Sequence, residues 1–216
     1  APSFVDFDGD GDLDLVVGAF NGTLRSFVSD GAGGFTALTG AANPFNGIDV
    51  SSTSTPSFAD LDGDGDLDLV VGEYYGRGTA RRGGLDVFVN NGAGGFSALT
   101  SGIIPVEWDS NSAPSFVDFD GDGDLDLVVG EYDGTLRSFA NNGAFVFSVL
   151  RGAANPFNGI DVGSSSTPSF VDLDGDGDLD LVVGAYDGTL RSFANNGAGG
   201  FSALTGAANP FDGLDV

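Results

Sequence analysis

Four stretches of this sequence could do chemistry, and all four do it with one residue type. "DFDGDGDLD" runs from Asp6 to Asp14, and near-identical copies begin at Asp60, Asp118 and Asp172. In each copy Asp holds positions 1, 3, 5, 7 and 9, with Gly at positions 4 and 6. Calcium is a hard cation that takes six to eight oxygens at short range. A tightly coiled loop can present side chains from positions 1, 3, 5 and 9 and a backbone carbonyl from position 7, and Gly at position 6 permits the sharp bend. The candidate ligands are therefore Asp6, Asp8, Asp10, Asp12 and Asp14; Asp60, Asp62, Asp64, Asp66 and Asp68; Asp118, Asp120, Asp122, Asp124 and Asp126; and Asp172, Asp174, Asp176, Asp178 and Asp180. Without a cation, so many carboxylates in one turn repel each other or take up protons. The competing reading is a solvated acidic hairpin turn, and a spacing repeated four times without a gap argues against it. Magnesium fits less well, because it demands a rigid octahedron and keeps its waters. The expectation is four calcium ions per chain.

The elements that must position these loops repeat with them. "PSF" recurs at Pro2, Pro56, Pro114 and Pro168, which sets units at 1–55, 56–113, 114–167 and 168–216 of a single repeat domain. Each unit reads "PSFVDF", the aspartate loop, "LDLVVG", a turn such as "NGT" or "DGT", then "TLRSF". The turn "NNGAGG", the run "FSALT" and the connector "GAANPFNGIDV" complete the pattern. Asn-Gly and Asp-Gly between short apolar runs are hairpin signals. No run has a helical period of useful length. Each unit is thus expected to form about four antiparallel strands, the size of one β-propeller blade; a β-solenoid coil is normally shorter. The first half of the loop is like that of an EF-hand. Position 12, however, is Val17, Val71, Val129 or Val183 where an EF-hand needs Glu, and the flanks read as strand.

On these residues the chain resembles the FG-GAP and VCBS repeats, which share the blade of the integrin-α propeller. Their signature is a D-x-D-x-D-G-x-x-D calcium loop between the first two strands of a blade, and all four copies match it. The names' own sequences, Phe-Gly and Gly-Ala-Pro, survive loosely in "VGAF" and "VGAY". The resemblance implies calcium binding, an all-β fold of propeller-type blades, four of them in this chain by its repeat count, and adhesion or ligand binding outside the cell. Family propellers usually have seven blades. The repeat frame here begins and ends at a unit boundary, so either four blades close on themselves or the end hands over to another chain. With no Met at its start, the sequence reads as a processed chain or a piece of a longer repeat protein.

Composition narrows the partners. The chain has 216 residues and is 41% hydrophobic, enough for a core despite a charge of −25. The four loops hold 20 of the 32 acidic residues, so the charge is local. All seven basic residues are Arg, which leaves no basic stripe for nucleic acid. No run reaches transmembrane length. With no Cys, His or Lys, the common nucleophile–base pairs are absent. A carboxylate pair could still cut a glycosidic bond. Glu73 and Glu131 follow "VVG" where Ala19 and Ala185 stand in the other units, and they read more simply as rim carboxylates.

The second unit carries an insertion, "YYGRGTARRGG", with Arg77, Arg81 and Arg82, and a different connector with the sole Trp, Trp108. Arg and Trp are favoured at contacts, so this loop could dock on an acidic neighbour, another copy included; otherwise it is a tolerated insertion. Arg25, Arg137 and Arg191 share one place and are expected to form inter-blade salt bridges. The Phe residues of "PSF" and "NPF" are expected in an inter-blade core. Asn21-Gly22-Thr23 is a glycosylation sequon that turn chemistry explains equally well, and the Ser/Thr-rich connectors could accept O-glycans. The sequence thus points to an extracellular, calcium-stabilised repeat module for self-assembly or adhesion, with a glycan- or protein-binding propeller as the alternative and a glycoside-active enzyme as a distant third.

Overall fold

The computed structural model describes residues 1–50, 52–73, 84–99, 112–143 and 146–214. The insertion bearing Arg77, Arg81 and Arg82, and Trp108, lie outside them. The described residues form two compact units, which part between Ser112 and Ala113.

The first unit holds β1 (Pro2–Val5), β2 (Asp14–Gly18), β3 (Leu24–Ser29) and β4 (Phe35–Leu38), then β5 (Thr55–Ala59), β6 (Asp68–Glu73), β7 (Gly84–Asn90) and β8 (Phe96–Ala98). The second holds β9 (Ala113–Val117), β10 (Asp126–Gly130), β11 (Leu136–Asn141) and β12 (Phe147–Leu150), then β13 (Thr167–Val171), β14 (Asp180–Gly184), β15 (Leu190–Asn195) and β16 (Phe201–Ala203). Each run of four is one antiparallel sheet with its strands in sequence order. The fold is all-β and of the propeller-repeat type, with four blades of four strands.

One register serves all four blades. Leu15 pairs with Phe4 and Phe27, and Leu69 with Phe58 and Phe88. Leu127 pairs with Phe116 and Phe139, and Leu181 with Phe170 and Phe193. A slip of one residue would turn each of these apolar rows to the opposite face. Branched and aromatic residues suit such rows because their stiff side chains pack on a pleated surface.

The core of each unit lies between its two blades. In the first, Val5, Val16, Leu24, Phe45 and Val50 meet Leu69 and Val71 of the next blade. In the second, Val117, Val128, Leu136, Phe157 and Val162 meet Leu181, Val183 and Phe193. Each such side chain contributes about 1.5–3 kcal/mol when fully buried. The inter-blade Phe core expected from "NPF" and "PSF" is present: Phe45 lies 5.8 Å from Phe58 and 5.0 Å from Phe96, and Phe157 lies 5.9 Å from Phe170 and 4.8 Å from Phe201.

A four-strand meander puts its first and third turns at one end and its second turn and exit at the other. The aspartate loops therefore share an end with the β3–β4 type turns. At the opposite end the connectors are tied to the second turn: Thr53 N donates to the Phe20 carbonyl and Ser165 N to the Tyr132 carbonyl, both at 2.9 Å.

Candidate metal centres

Each loop is built around the aspartate at position 1. The Asp6 carboxylate accepts from Gly9 N at 2.7 Å and Gly11 N at 2.9 Å. The same pair of bonds recurs at Asp60 (Gly63 2.8 Å, Gly65 3.0 Å), at Asp118 (Gly121 2.7 Å, Gly123 3.0 Å) and at Asp172 (Gly175 2.7 Å, Gly177 3.1 Å). These eight glycines have φ between +77° and +97°, where a side chain would be strained. Positions 3 and 5 each accept from the amide two residues on, as in Asp8 from Asp10 N at 3.3 Å and Asp10 from Asp12 N at 2.9 Å.

The coil brings carboxylates together. Oxygens of Asp6, Asp8 and Asp10 lie within 4.8 Å of one another, as do those of Asp118, Asp120 and Asp122. In the other two loops the groups are Asp60, Asp62 and Asp68, and Asp172, Asp174 and Asp180. Position 9 thus replaces position 5 in two of the four groups, and Asp14, Asp64, Asp126 and Asp176 stand outside them. Position 7 belongs to none. The carboxylates of Asp12, Asp66, Asp124 and Asp178 lie over Gly31, Gly92, Gly143 and Gly197, where an added Cβ would collide with them.

Position 9 has a second task that the sequence did not disclose. Asp14, Asp68, Asp126 and Asp180 are buried. One carboxylate oxygen of each accepts the amide of loop position 2: Phe7 at 3.3 Å, Leu61 at 3.1 Å, Phe119 at 3.1 Å and Leu173 at 2.9 Å. The other accepts an amide from the end of the third strand: Ser29 at 2.8 Å, Asn90 at 2.9 Å, Asn141 at 2.8 Å and Asn195 at 2.7 Å. The strand residues sit 15 to 22 positions away in sequence, beyond the reach of a local pattern.

Burial and like charge raise several of these acids. Desolvation pushes Asp68 and Asp126 up to about 6, against the pull of their two amides and with a further push from neighbouring aspartates. Asp8, Asp62 and Asp120 are also raised, by desolvation first and then by the charges beside them. A pocket of carboxylate oxygens that is costly to ionise is a donor set suited to a hard divalent cation.

Two expectations change. Glu131, expected at the rim, is buried; Arg137 Nε lies 2.8 Å from its Oε1, and Thr135 Oγ1 donates to its Oε2 at 3.4 Å. Its own amide donates to Ser166 Oγ at 2.8 Å. Arg137 thus meets a carboxylate of its own blade. Arg191 reaches the preceding connector, but it donates to the Asp161 carbonyl at 3.0 Å.

Each unit also has a cleft bordered by both of its loops. In the first, about 860 Å³ opens among Asp6, Asp8, Asp66, Pro44, Phe58 and Phe96. In the second, about 800 Å³ opens among Asp118, Asp120, Asp178, Pro156, Asn195 and Phe201.

A description of the FG-GAP-like repeat matches residues 6–71, 78–129 and 118–183, and one of the FG-GAP repeat matches residues 52–97 and 165–203. The chain belongs to the FG-GAP repeat family. Its repeats are 36% identical over 88 residues to integrin alpha-5 of Xenopus laevis, a match spanning 37% of this chain and 8% of the integrin. Among solved structures, the FG-GAP fold here is similar to a lectin of Agrocybe aegerita that specifically recognises non-reducing terminal N-acetylglucosamine. That match has a TM-score of 0.54 at 24% identity and covers 96% of this chain and 52% of the lectin chain. The Tc holotoxin pore of Photorhabdus luminescens matches at a TM-score of 0.47 and 23% identity, over 100% of this chain and 10% of that one. The FG-GAP chain thus spans about half of the lectin chain and far less of the other two. No described helix is long and apolar enough to cross a membrane.

Proposed function

We propose that this chain is a calcium-stabilised FG-GAP propeller module that works outside the cell in assembly, adhesion or binding, and not in catalysis. One observation carries the reading: four loops of near-identical sequence converge three carboxylates each to within 4.8 Å. Each loop takes one calcium ion. The side chains at positions 1, 3, 5 and 9 are its ligands, and position 7 contributes its backbone carbonyl because its carboxylate is turned toward the next glycine turn. Four divalent cations bring the formal charge from −25 to −17. With a Kd of about 0.1 mM and about 1 mM free calcium, each site would add about 1.4 kcal/mol, and four would approach the stability of an ordinary domain. Such calcium levels belong outside the cell, and likeness to an integrin supports that setting. The lack of Cys, His and Lys, and the tie of Glu131 to Arg137, support a non-catalytic role. Calorimetric titration of calcium into the metal-free protein tests the reading. Saturation near four ions per chain is expected; no heat of binding at millimolar calcium would remove it.

The paired clefts favour a second reading, in which the module binds a glycan or a protein. Each offers carboxylates on two sides of an aromatic and proline surface, a combination that suits a hydroxyl-rich ring. A glycan screen of the calcium-loaded protein decides it: saturable binding whose stoichiometry falls by about half in Phe96→Ala supports the reading, and an empty screen ends it.

A further inference from the structure

Asn-Gly is a dipeptide that can react with itself, and the chain has six: Asn21-Gly22, Asn46-Gly47, Asn91-Gly92, Asn142-Gly143, Asn158-Gly159 and Asn196-Gly197. The backbone nitrogen of the Gly gives up its proton to water and attacks the side-chain carbonyl carbon of the Asn. A cyclic imide forms, and the side-chain nitrogen leaves as ammonia. Water then opens the imide, and the Asn has become an acid: aspartate, or isoaspartate where the other carbonyl is attacked. The reaction needs a Gly amide that no hydrogen bond holds and a carboxamide free to turn onto it. Gly serves because it has no side chain to block the approach.

Four of the six pairs are held. Gly22 N donates to the Ala19 carbonyl at 3.0 Å, and Asn21 Oδ1 accepts from Thr23 Oγ1 at 2.8 Å. In the β3–β4 type turns, Gly92 N, Gly143 N and Gly197 N donate to Oδ1 of Asn90, Asn141 and Asn195 at 3.2, 3.2 and 3.1 Å. Asn91 Oδ1 also accepts from the Ala93 and Gly95 amides, and Asn196 Oδ1 from those of Ala198 and Gly200.

The other two pairs stand open. Asn46 and Asn158 directly follow Phe45 and Phe157, the buried Phe residues of the inter-blade joints. Their turns are closed by Ile48 N on the Phe45 carbonyl and Ile160 N on the Phe157 carbonyl, both at 3.1 Å. Gly47 and Gly159 are third in these turns, with φ of +96° and +92°, a place whose amide the turn's own hydrogen bond does not use. Among the described residues, neither Gly amide and neither Asn carboxamide has a hydrogen-bond partner. Both pairs are exposed to water.

The fourth blade displays the acid in the same turn. Asp212 stands there in place of Asn, Leu214 N donates to the Phe211 carbonyl at 3.0 Å, and Gly213 has φ of +81°. Asp212 N donates to the Asn209 carbonyl at 3.1 Å, as Asn46 N and Asn158 N do to the Asn43 and Asn155 carbonyls at 3.0 Å. A carboxylate at this position leaves the turn unchanged.

We propose that Asn46 and Asn158 are sites of self-modification, which water converts to acids while the fold protects the other four Asn-Gly pairs. Each event adds one negative charge beside an inter-blade Phe, to a chain that already carries −25. The aspartate product keeps the turn, as in the fourth blade. The isoaspartate product lengthens the main chain there by a methylene and does not match it. The reaction calls on no metal, so it is independent of the calcium reading.

The full chain, folded, is incubated at mildly alkaline pH in heavy-oxygen water, and each Asn is followed by peptide mass spectrometry. Heavy oxygen in the new carboxylate marks the conversions that occurred during incubation. Asn46 and Asn158 should convert about fivefold or more faster than each of the other four, the factor imposed by first breaking one ordinary hydrogen bond. In urea, where the turns are gone and all six pairs are the same two residues, the six rates should come together. Equal rates in the folded chain, or an order that survives unfolding, overturns the proposal. Asn46→Asp gives a second readout. It should keep the urea midpoint of the unmodified protein, and a lower midpoint overturns the fit of the acid to this turn.

Discussion

Asp126 holds the amide of Asn141 at 2.8 Å and, with Asn141 Nδ2 on the Leu125 carbonyl at 3.0 Å, joins the aspartate loop to the third strand of its blade. With its other oxygen on Phe119 N, the buried carboxylate satisfies two amides at once. Truncating it strands both donors. Asp126→Ala should therefore cost about 2–4 kcal/mol at pH 7, and much of that loss should persist in chelator. Urea unfolding with and without calcium checks this. An effect confined to the calcium-loaded protein would make the residue a ligand alone.

Calcium should raise thermal stability across the whole chain. At the affinity assumed above, four sites give about 6 kcal/mol, a rise in melting temperature of about 10–20 °C for a chain of this size. Calorimetric melts in millimolar calcium and in excess chelator measure it. Asp118→Ala should remove one ion from the titration and part of the rise, leaving the other three sites intact.

In the metal-free protein, acid should stabilise. Asp68 and Asp126 titrate near 6 in the fold, above the ordinary 3.8. Between those values the folded chain holds more protons than the unfolded one, so stability falls as pH rises through about 4 to 6 and then levels. Urea midpoints of dialysed, metal-free protein at pH 4.5 and 7 should differ in that direction. Calcium should reverse the trend, since it needs the ionised carboxylates.

Arg137→Ala removes the cation beside a buried carboxylate. Because the Arg side chain is itself one-third exposed, the cost should be about 1–3 kcal/mol, smaller than for a fully buried pair. Glu131→Gln/Arg137→Ala should recover part of the loss, which denaturation of both variants would show.

The loops were legible because everything that shapes them is local: Asp at alternate positions, and two glycines whose φ only glycine adopts easily. The strands and hairpins were legible for the same reason. The clamp at position 9 was hidden because its partners, Ser29, Asn90, Asn141 and Asn195, donate backbone amides that no side-chain pattern marks. The burial of Glu131 was hidden too, since the residues around it include Ser166, 35 residues further on. The Phe joint lay between these cases. Its aromatic residues were visible in "NPF" and "PSF", but the clamp that sets the Phe was not: Asn43 Oδ1 accepts from Ser26 Oγ at 2.9 Å and from Phe45 N at 3.0 Å, and Asn155 does the same with Ser138 and Phe157.

Both loops of a unit border one cleft, and this has an electrostatic consequence. Ten carboxylates gathered at one end create a standing negative potential there, and a potential of only about one thermal unit enriches a divalent ion locally about sevenfold over bulk. The first ion to arrive spends part of that attraction, so its neighbour meets a weaker field. Filling should therefore be anticooperative, stretched over a wider range of calcium than one affinity allows, and the stretch should shrink as added salt flattens the field.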